Sequence, residues 1–371
     1  MKTAIARRVQ SFHSTEISEF FAKAKDLTNP IDLSIGVPYG DMTEEAATAA
    51  TLALAAGKTR YRPAGGSPQL RQALAEKLSA RNSIAASAES TIVTPGVSGG
   101  LFLAMATLLD PGDEIIIPDP YFLAYRELAT LLDAKPVFVS TYPDFGLNID
   151  RIRRHITPRT KAILINTPNN PAGSVYGEDQ LKELARLCEE SGLAVIVDEV
   201  YEDFIYTGRH FSIGSVYQPT ITLNGFSKNH AMTGLRIGYA HCDDPAIIKA
   251  MTELAQYVFF SNSSIAEEAA LAALPVRGNF HRELYTKNRD YIVEHLDPRY
   301  ERSSGDGSFF FFLKHPTLDG RRAAERALRD ELIVIPGDIF SQSDSHFRIS
   351  YAVDHDIIKR AVAVLNTMLM D

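Results

Sequence analysis

One lysine, Lys228, follows a short apolar run and stands in a polar turn that contains glycine. The run from Ile221 to Leu223 is apolar and begins with a β-branched residue, which predicts a buried strand. Partial burial would lower the pKa of the Lys228 amine and allow it to act as a nucleophile that forms a Schiff base. The alternative is a solvated side chain, which is the usual state of a lysine in a loop.

Asp198 stands in an equivalent place, directly after the apolar run from Leu193 to Val197. A carboxylate at the end of a buried strand needs a cation or a hydrogen-bond donor as its partner. A phenol follows three positions later, at Tyr201. This segment is therefore a candidate for binding a positively charged or hydrogen-bond-donating group.

The predicted strand from Thr91 to Thr94 leads into a glycine-rich turn, Gly96–Gly100, which we place before a helix at Leu101–Leu109. The free N–H groups at a helix start, together with the helix dipole, suit a phosphate. A turn that is tight for packing reasons explains the glycines equally well.

The strands predicted at Glu114–Ile117 and Lys161–Asn166 are also followed by candidate ligand-binding residues. Phe122 offers a ring on which a second ring could stack, although a core aromatic explains it at least as well. Asn170, within 167–173, offers an amide, although the Asn, Pro and Gly residues of this segment also suit an ordinary turn.

Short apolar runs alternate with helical segments between Thr91 and Leu223, which indicates an α/β fold with a mostly parallel sheet and helices on both faces. After Gly238 we predict helices, followed by a smaller α+β unit. We therefore divide the chain into an N-terminal arm with part of the small domain, a large ligand-binding domain and a small C-terminal domain. Their predicted bounds are 1–43, 44–275 and 276–371.

In an open α/β sheet the carboxyl ends of the parallel strands share one edge, where ligands bind. All five groups of residues follow such strands, so we expect them to converge. A phosphate site, a stacking ring, an amide, a buried carboxylate and a lysine together suit pyridoxal 5'-phosphate (PLP), a phosphorylated aromatic aldehyde. PLP requires a lysine that forms a Schiff base and an acid at its pyridine nitrogen.

The composition of the 371-residue chain is that of an ordinary globular protein, with 45% hydrophobic and 23% charged residues. The formal net charge of -8 argues against a general nucleic-acid binder, which is usually basic. Cys188 and Cys242 have neither metal-ligand nor redox spacing, so we predict no metal site and a reducing, cytoplasmic environment. No apolar run reaches membrane-spanning length.

Four motifs carry a resemblance to a known family. They are Tyr61-Arg62-Pro63-Ala64-Gly65-Gly66, Asn169-Asn170-Pro171-Ala172-Gly173, Asp198-Glu199-Val200-Tyr201, and Ser227-Lys228 followed eight positions later by Arg236. Over nearly its whole length the chain resembles the class I/II aminotransferases, which share the PLP-dependent transferase fold type I of the aspartate aminotransferase superfamily. Residues 6–10 resemble the N-terminal arm of these enzymes rather than a transit peptide.

The resemblance implies roles around the ring of PLP. Lys228 would hold the cofactor as an aldimine and then move the proton between Cα and C4'. Asp198 would pair with the protonated pyridine nitrogen, so that the charged ring accepts electrons. Asn170 and Tyr201 would hydrogen-bond the phenolic oxygen of the ring, and Phe122 would stack on it.

The resemblance also implies a phosphate site and a contribution from a second subunit. Backbone N–H groups of Val97 and Ser98 would bind the phosphate, with Ser227 at the same site and Arg236 supplying positive charge. Tyr61 would reach the phosphate from the neighbouring subunit, which implies a homodimer with shared active sites.

Arg348 would hold the α-carboxylate of the substrate, because an arginine fork matches a carboxylate bidentately, with Asn170 and Gly36 at the same site. Taken without the resemblance, Arg348 would be a surface charge. The turn at 37–41 and the segment 341–345 depart from the family pattern. The preferred side chain therefore does not carry over, and acidic, aromatic and aliphatic amino donors all remain open.

We expect an aminotransferase that passes an amino group from an L-amino acid to a 2-oxo acid with ping-pong kinetics, without nucleic-acid or membrane partners. The alternative is a PLP-dependent lyase, cyclase or other enzyme of Cα chemistry on the same fold. A PLP-sensing regulator is disfavoured because we find no basic N-terminal module. A dinucleotide-binding oxidoreductase is disfavoured because Gly96–Gly100 lacks the spacing of that fingerprint.

Overall fold

The structure of the protein is a computed structural model that describes residues 5–10, 12, 24, 27–276 and 281–370. Its strands are, in chain order, β1 (Ile31–Asp32), β2 (Thr91–Thr94), β3 (Glu114–Asp119), β4 (Lys135–Ser140), β5 (Thr160–Asn166), β6 (Ala194–Asp198), β7 (Thr220–Gly225), β8 (Gly238–His241), β9 (Glu301–Arg302), β10 (Phe310–Lys314), β11 (Leu332–Ile333), β12 (Ile335–Pro336) and β13 (Phe347–Ser350). Its α-helices are Arg7–Gln10, Glu44–Ala55, Pro68–Asn82, Gly96–Leu108, Ala124–Leu131, Ile149–His155, Glu178–Ser191, Pro245–Val258, Ser264–Ala273, Arg282–His295, Gly320–Arg329 and His355–Thr367. Short 3-10 helices lie at Ile213–Ser215, Thr233–Leu235 and Gly337–Ile339.

A seven-stranded sheet forms the centre of the larger part of the chain, in the order β2-β8-β7-β6-β5-β3-β4. The strands from β7 to β4 in this order pair in parallel. Successive residues of β6 alternate between two apolar cores: Val195 and Val197 face one, and Ala194 and Ile196 face the other. Helices cover both faces, so the predicted α/β fold with a mostly parallel sheet is confirmed.

The helices predicted after Gly238, at Ala246–Tyr257 and Ile265–Leu274, are confirmed as Pro245–Val258 and Ser264–Ala273. The sequence did not predict β8 (Gly238–His241), an antiparallel strand between β2 and β7. A Cβ atom on Gly238 would lie 2.8 Å from the backbone carbon of Gly96 and 2.9 Å from the backbone nitrogen of Val97. Only glycine permits this approach, and β8 therefore packs directly against the start of helix Gly96–Leu108.

The predicted turn at Gly96–Gly100 is wrong, because the helix begins at Gly96 rather than Leu101. Small residues are required there, since a Cβ atom on Gly100 would lie 3.0 Å from a methyl carbon of Leu223 on the sheet. Close packing of helix on sheet therefore outweighs the low helix propensity of glycine. The first turn of the helix follows β2 almost directly.

A second sheet of four antiparallel strands, in the order β12-β13-β10-β9, forms the smaller α+β part. The aromatic run Phe309–Phe312 is fully buried along β10. Phe310 and Phe311 join a core that includes helices Gly320–Arg329 and His355–Thr367. Phe312 instead joins Phe145 of the larger part in a cluster between the two sheets. Strand β1 pairs with β11, which attaches the N-terminal segment to this smaller part.

The loop after β5 touches the backbone of the smaller part at Gly173. This residue has a φ of +66°, and a Cβ atom on it would lie 2.6 Å from the carbonyl oxygen of Phe310 and 3.0 Å from that of Gly307. The carbonyl of Gly173 accepts a hydrogen bond from the Gly307 N–H at 2.8 Å. The two parts therefore meet backbone to backbone, and glycine is required for that approach.

The sequence also predicts an amphipathic helix from Ser14 to Leu27, and most of that segment lies outside the described residues. The sequence further predicts a helix at Glu178–Ser191, which the structure confirms, and Gly192 follows it in the left-handed conformation. Among the described residues, we find no helix with the length and hydropathy needed to cross a membrane.

Candidate active site

A cavity of about 380 Å³ opens between the carboxyl edge of the large sheet and the smaller sheet. It brings together the predicted site residues other than Tyr61, namely Gly36, Val97, Ser98, Phe122, Asn170, Asp198, Tyr201, Ser227, Lys228, Arg236 and Arg348. They come from segments that span more than 300 residues of sequence. The convergence at one sheet edge is what the strand order requires.

Lys228 follows β7 and points its amine into the cavity. Its Nζ donates a hydrogen bond to the carbonyl oxygen of Gly36 at 2.5 Å and lies 6.0 Å from the centre of the Tyr201 ring. Burial lowers the pKa of the Lys228 amine to about 8, and the positive charge of Arg348 acts in the same direction. A lysine in this state carries a substantial neutral fraction near pH 8 and is a competent nucleophile.

Asp198 ends β6 and is almost fully buried beneath the same cavity. The hydroxyl of Tyr125 donates to its Oδ2 at 2.8 Å, and the backbone N–H of Val200 donates to its Oδ1 at 3.2 Å. Burial raises the pKa of the carboxyl to about 6, although these two hydrogen bonds and the charge of Lys228 oppose that rise. A cation placed in the cavity against this carboxylate would be strongly favoured.

An ionic network lies behind Asp198 and joins helix Pro68–Asn82 to the segment 199–203. Glu202 forms an ion pair with Lys77, and Asn82 Nδ2 donates to a carboxylate oxygen of Glu202 at 2.7 Å. Nε2 of His210 lies 3.1 Å from Glu199, which is also buried. Because Asp198 immediately precedes this segment, the network holds the backbone that carries the carboxylate.

Asn166, at the end of β5, organises the loop that carries Asn170. Its Nδ2 donates to the carbonyl oxygen of Asp198 at 2.9 Å, and its Oδ1 accepts from the backbone N–H of Asn170 at 2.8 Å. The Asn170 amide in turn lies close to the Tyr201 hydroxyl and opposes the rise that burial causes in the pKa of Tyr201. One asparagine thus fixes the relative positions of the carboxylate, the amide and the phenol.

Arg348, on β13, is buried at the other side of the cavity. Its guanidinium donates to Oδ1 of Asn170 at 2.9 Å and to the carbonyl oxygen of Ser34 at 2.6 Å. It lies between the rings of Phe310 and Phe340, at 4.5 Å and 4.6 Å from their centres. Burial lowers the pKa of Arg348 to about 10. Both of its bonds are to neutral oxygens, so the buried charge has no anionic partner among the described residues.

The start of helix Gly96–Leu108 forms an end of the cavity that suits an anion. Val97 and Ser98 stand in its first turn, where N–H groups lack intrahelical partners. Nη2 of Arg236 would lie 2.7 Å from a Cβ atom on Gly96, so its positive charge is close to the helix start. A helix N-terminus beside a guanidinium suits a phosphate group.

Tyr61 lies outside this cavity. Its side chain is 79% exposed and contacts the ring of Phe260 at a centre-to-centre distance of 4.6 Å. It lines a different surface depression together with Lys58, Arg62 and Glu268. Within one chain, Tyr61 therefore contributes nothing to the cavity that holds Lys228.

Sequence reasoning missed several residues of the cavity. Tyr125 and Asn166 position Asp198 and Asn170, and the apolar residues Leu123, Ile335, Ile339 and Phe340 line one side. Val37 also lines the cavity and belongs to the turn at 37–41, which the resemblance places beside the substrate. Tyr125 lies three positions beyond the predicted stacking residue Phe122, but this spacing does not indicate a hydrogen bond to Asp198. No signal existed for the apolar residues, whose types are those of any core.

Comparison with known proteins identifies the family. The profile of the family described as Aminotransferase class I and II matches residues 28–365. The aspartate/prephenate aminotransferase of Thermus thermophilus is 39% identical, covering 96% of this chain and 97% of that protein. The aromatic-amino-acid aminotransferase 2 of Thermococcus litoralis is 32% identical, covering 99% of each. The structure of aspartate aminotransferase from Thermus thermophilus with maleate superposes with a TM-score of 0.94 at 38% identity, covering 99% of this chain and 100% of that one. The chain belongs to the class I and II aminotransferases, of fold type I.

Proposed function

We propose that the protein transfers an amino group from an L-amino acid to a 2-oxo acid, with PLP held in the cavity around Lys228. The observation that carries the proposal is one cavity in which a lysine of lowered pKa faces a buried carboxylate on one side and a buried arginine on the other. A PLP-dependent lyase would need the same groups, and the family to which the chain belongs favours amino-group transfer.

The residues of the cavity fit PLP. The buried carboxyl of Asp198 is held only by neutral donors at hydrogen-bond distance, so it can take a protonated pyridine nitrogen. The helix start at Val97 and Ser98, with Ser227 and Arg236 on the cavity wall, fits the phosphate. When bound, PLP supplies an aldehyde that condenses with amines and a ring that takes up the electron pair left by a departing proton.

Each residue then has a defined task. With PLP bound, Asp198 would keep the proton on the ring nitrogen, Asn170 and Tyr201 would donate to the phenolic oxygen, and Phe122 would stack on the ring. Arg348 holds the α-carboxylate of the substrate with its guanidinium fork, near Asn170 and Gly36.

Lys228 has two tasks in the proposal. Its amine would hold the cofactor and, once freed by the substrate amine, would carry the proton to and from Cα of the substrate. Its lowered pKa suits both tasks, because the neutral amine is the nucleophile and the base. The aromatic and aliphatic walls exclude water from the group that transfers the proton.

The proposal includes a homodimer with shared active sites. The support is a group of exposed apolar side chains near Tyr61, since Phe260 is 55% exposed, Val258 48% and Tyr257 88%. Exposed aromatic and aliphatic residues on neighbouring segments mark an interface. Tyr61, on this face, would reach the phosphate bound in the neighbouring subunit.

We also propose domain bounds and a cellular location for the protein. We place the domain bounds at 1–43, 44–275 and 276–371, supported by the separation of the two sheets along the chain. We place the protein in the cytoplasm, because Cys188 and Cys242 are both free and buried, as is usual in a reducing compartment.

The test is a product balance with PLP-loaded protein. An aminotransferase forms a 2-oxo acid from the donor only as fast as an acceptor oxo acid takes up the amino group, and releases no ammonia. A lyase would release ammonia with or without an acceptor, which would refute the proposal. Lys228→Ala should abolish both the visible absorbance of the loaded protein and its turnover.

A further inference from the structure

The cavity has an apolar side that the proposed chemistry does not use. Leu123, Ile335, Ile339 and Phe340 line it and pack in one cluster, in which Ile335 and Phe340 are buried. Val37, next to Gly36, lines the same cavity and is 44% exposed. These residues come from the N-terminal segment, the large part and the smaller part, so the apolar side is closed from three directions.

Every charged side chain that lines the cavity among the described residues already has a role in the proposed function. Among the described residues that line it, the cations are Lys228, Arg236 and Arg348, and the only anion is Asp198. Lys228 is the reacting amine, Arg236 lies at the helix start, and Arg348 holds the α-carboxylate in the proposed function. A second carboxylate on the substrate would therefore face aliphatic side chains and one phenylalanine ring, and a buried charge without a partner is strongly disfavoured.

A dicarboxylic donor would need a cation from a second copy of the chain. The loop that carries Tyr61 is the segment proposed to reach that copy, and two of its cations are already paired within their own chain. Lys58 lies 3.0 Å and Arg62 lies 2.6 Å from the carboxylate of Glu268. Arg60 is exposed on the same loop, so it is the cation that must be tested.

We infer that the protein prefers amino donors with apolar side chains and discriminates against aspartate and glutamate. The inference rests on the proposed function and adds the substrate class. Family membership leaves the donor open, since the relatives are named for aspartate/prephenate and for aromatic amino acids. The apolar side favours donors with apolar side chains, because each methylene group bound in such a pocket contributes about 10-fold to 200-fold in specificity.

The first experiment measures donors one at a time in a single half-reaction with PLP-loaded protein, followed by the change in visible absorbance. Leucine, methionine and phenylalanine should react with kcat/KM values at least about tenfold above those of aspartate and glutamate. Aspartate or glutamate as the best donor would overturn the inference while leaving the aminotransferase intact. No reaction with any donor would overturn the proposed function instead.

A second experiment measures binding without chemistry. Calorimetric titration of the loaded protein with 4-methylvalerate and 3-phenylpropionate should give dissociation constants at least about tenfold below that of succinate. Tighter binding of succinate would contradict the inference. If Arg60→Ala weakened succinate binding while Lys58→Ala did not, the cation that binds the second carboxylate would be Arg60 from a second copy of the chain.

A third experiment adds the missing cation. Val37→Lys places an ammonium at the exposed edge of the apolar side and should raise kcat/KM for aspartate by at least about tenfold, with leucine changed much less. Val37→Gln is the matched control without charge and should not gain aspartate activity. Equal gains from both variants would show that charge is not the missing element and would overturn the inference.

Discussion

The hydroxyl of Tyr125 donates a hydrogen bond to Oδ2 of Asp198 at 2.8 Å, and both side chains are almost fully buried. Burial raises the pKa of Asp198 to about 6, and this hydrogen bond opposes the rise. The hydrogen bond from Tyr125 therefore favours the ionised carboxylate, as its proposed partnership with a protonated ring nitrogen requires.

Tyr125→Phe should weaken PLP binding and lower kcat, each by about tenfold or more, because one hydrogen bond to a charged group is lost. The pKa of Asp198 should rise, so the acidic limb of the kcat/KM profile should move to higher pH. Absorbance titration with PLP and a pH–rate profile check both effects. Tyr217→Phe, which loses a hydroxyl bonded to the Leu193 carbonyl, should leave the kinetics unchanged.

Arg348→Lys should raise KM for amino donors by about 10-fold to 100-fold and change kcat much less. The ammonium keeps the charge but loses the bidentate fork and the contact with the rings of Phe310 and Phe340. Initial rates over a range of donor concentrations separate the two constants. Arg302→Lys, at a cation that stacks on Phe311, is the control, and an equal rise there would remove the special role of Arg348.

The capture of PLP by Lys228 should depend on pH through the neutral amine. Since the pKa is lowered to about 8, the rate should rise about tenfold per pH unit below pH 8 and level off above it. Arg348→Met should move the midpoint to higher pH, and Asp198→Asn should move it to lower pH, because the two charges act on the amine in opposite directions.

Borohydride trapping followed by mass spectrometry measures this adduct at Lys228 directly. A rate that did not change between pH 6.5 and 9.5, or an adduct on another lysine, would contradict the assignment of the reactive amine.

The network behind Asp198 should control acid stability. Burial opposes the ionisation of Glu202, but Lys77, His210 and Asn82 outweigh burial and lower the pKa of Glu202 to about 2. Its folded pKa lies below the ordinary value of about 4.3, so its contribution to the free energy of unfolding is present above that pH and is lost as pH falls towards 2.

Glu202→Gln should therefore cost about 3–5 kcal/mol at neutral pH, since it leaves Lys77 buried without its partner. The difference from the wild type should shrink as pH falls from about 4.3 to 2. Urea denaturation across this range measures it, and the double variant with Lys77→Met should recover part of the loss. A difference that stayed constant with pH would contradict the pKa assignment.

Much of the site could be predicted because residues that directly follow a parallel strand can be recognised from the local sequence. Asp198, Asn170 and Lys228 each follow a strand, and neighbouring parallel strands bring their carboxyl ends together. The role of Arg348 came only through the family resemblance, since its place on β13 depends on how the two sheets pack.

The residues that sequence reasoning missed depend on tertiary contacts. Tyr125 lies within an amphipathic helix, and nothing in its spacing shows that its hydroxyl reaches a carboxylate 73 positions away. The start of the helix at Gly96 was misplaced because tertiary packing selects the glycines that suggested a turn: a Cβ atom on Gly96 would meet Arg236, and one on Gly100 would meet Leu223. Ile335 and Phe340 join the cavity only because the smaller sheet packs against the edge of the larger one.

The contact of Gly173 with the backbone of Gly307 and Phe310 has a mechanical consequence. At that point no layer of side chains separates the two parts of the molecule, so neither part can slide across the other. A rotation between them has to pivot about this junction. Asn170, three residues from the pivot and hydrogen-bonded to Arg348 on the far side, would then move least. The contact between Asn170 and Arg348 would persist while the opening of the cavity widens or narrows.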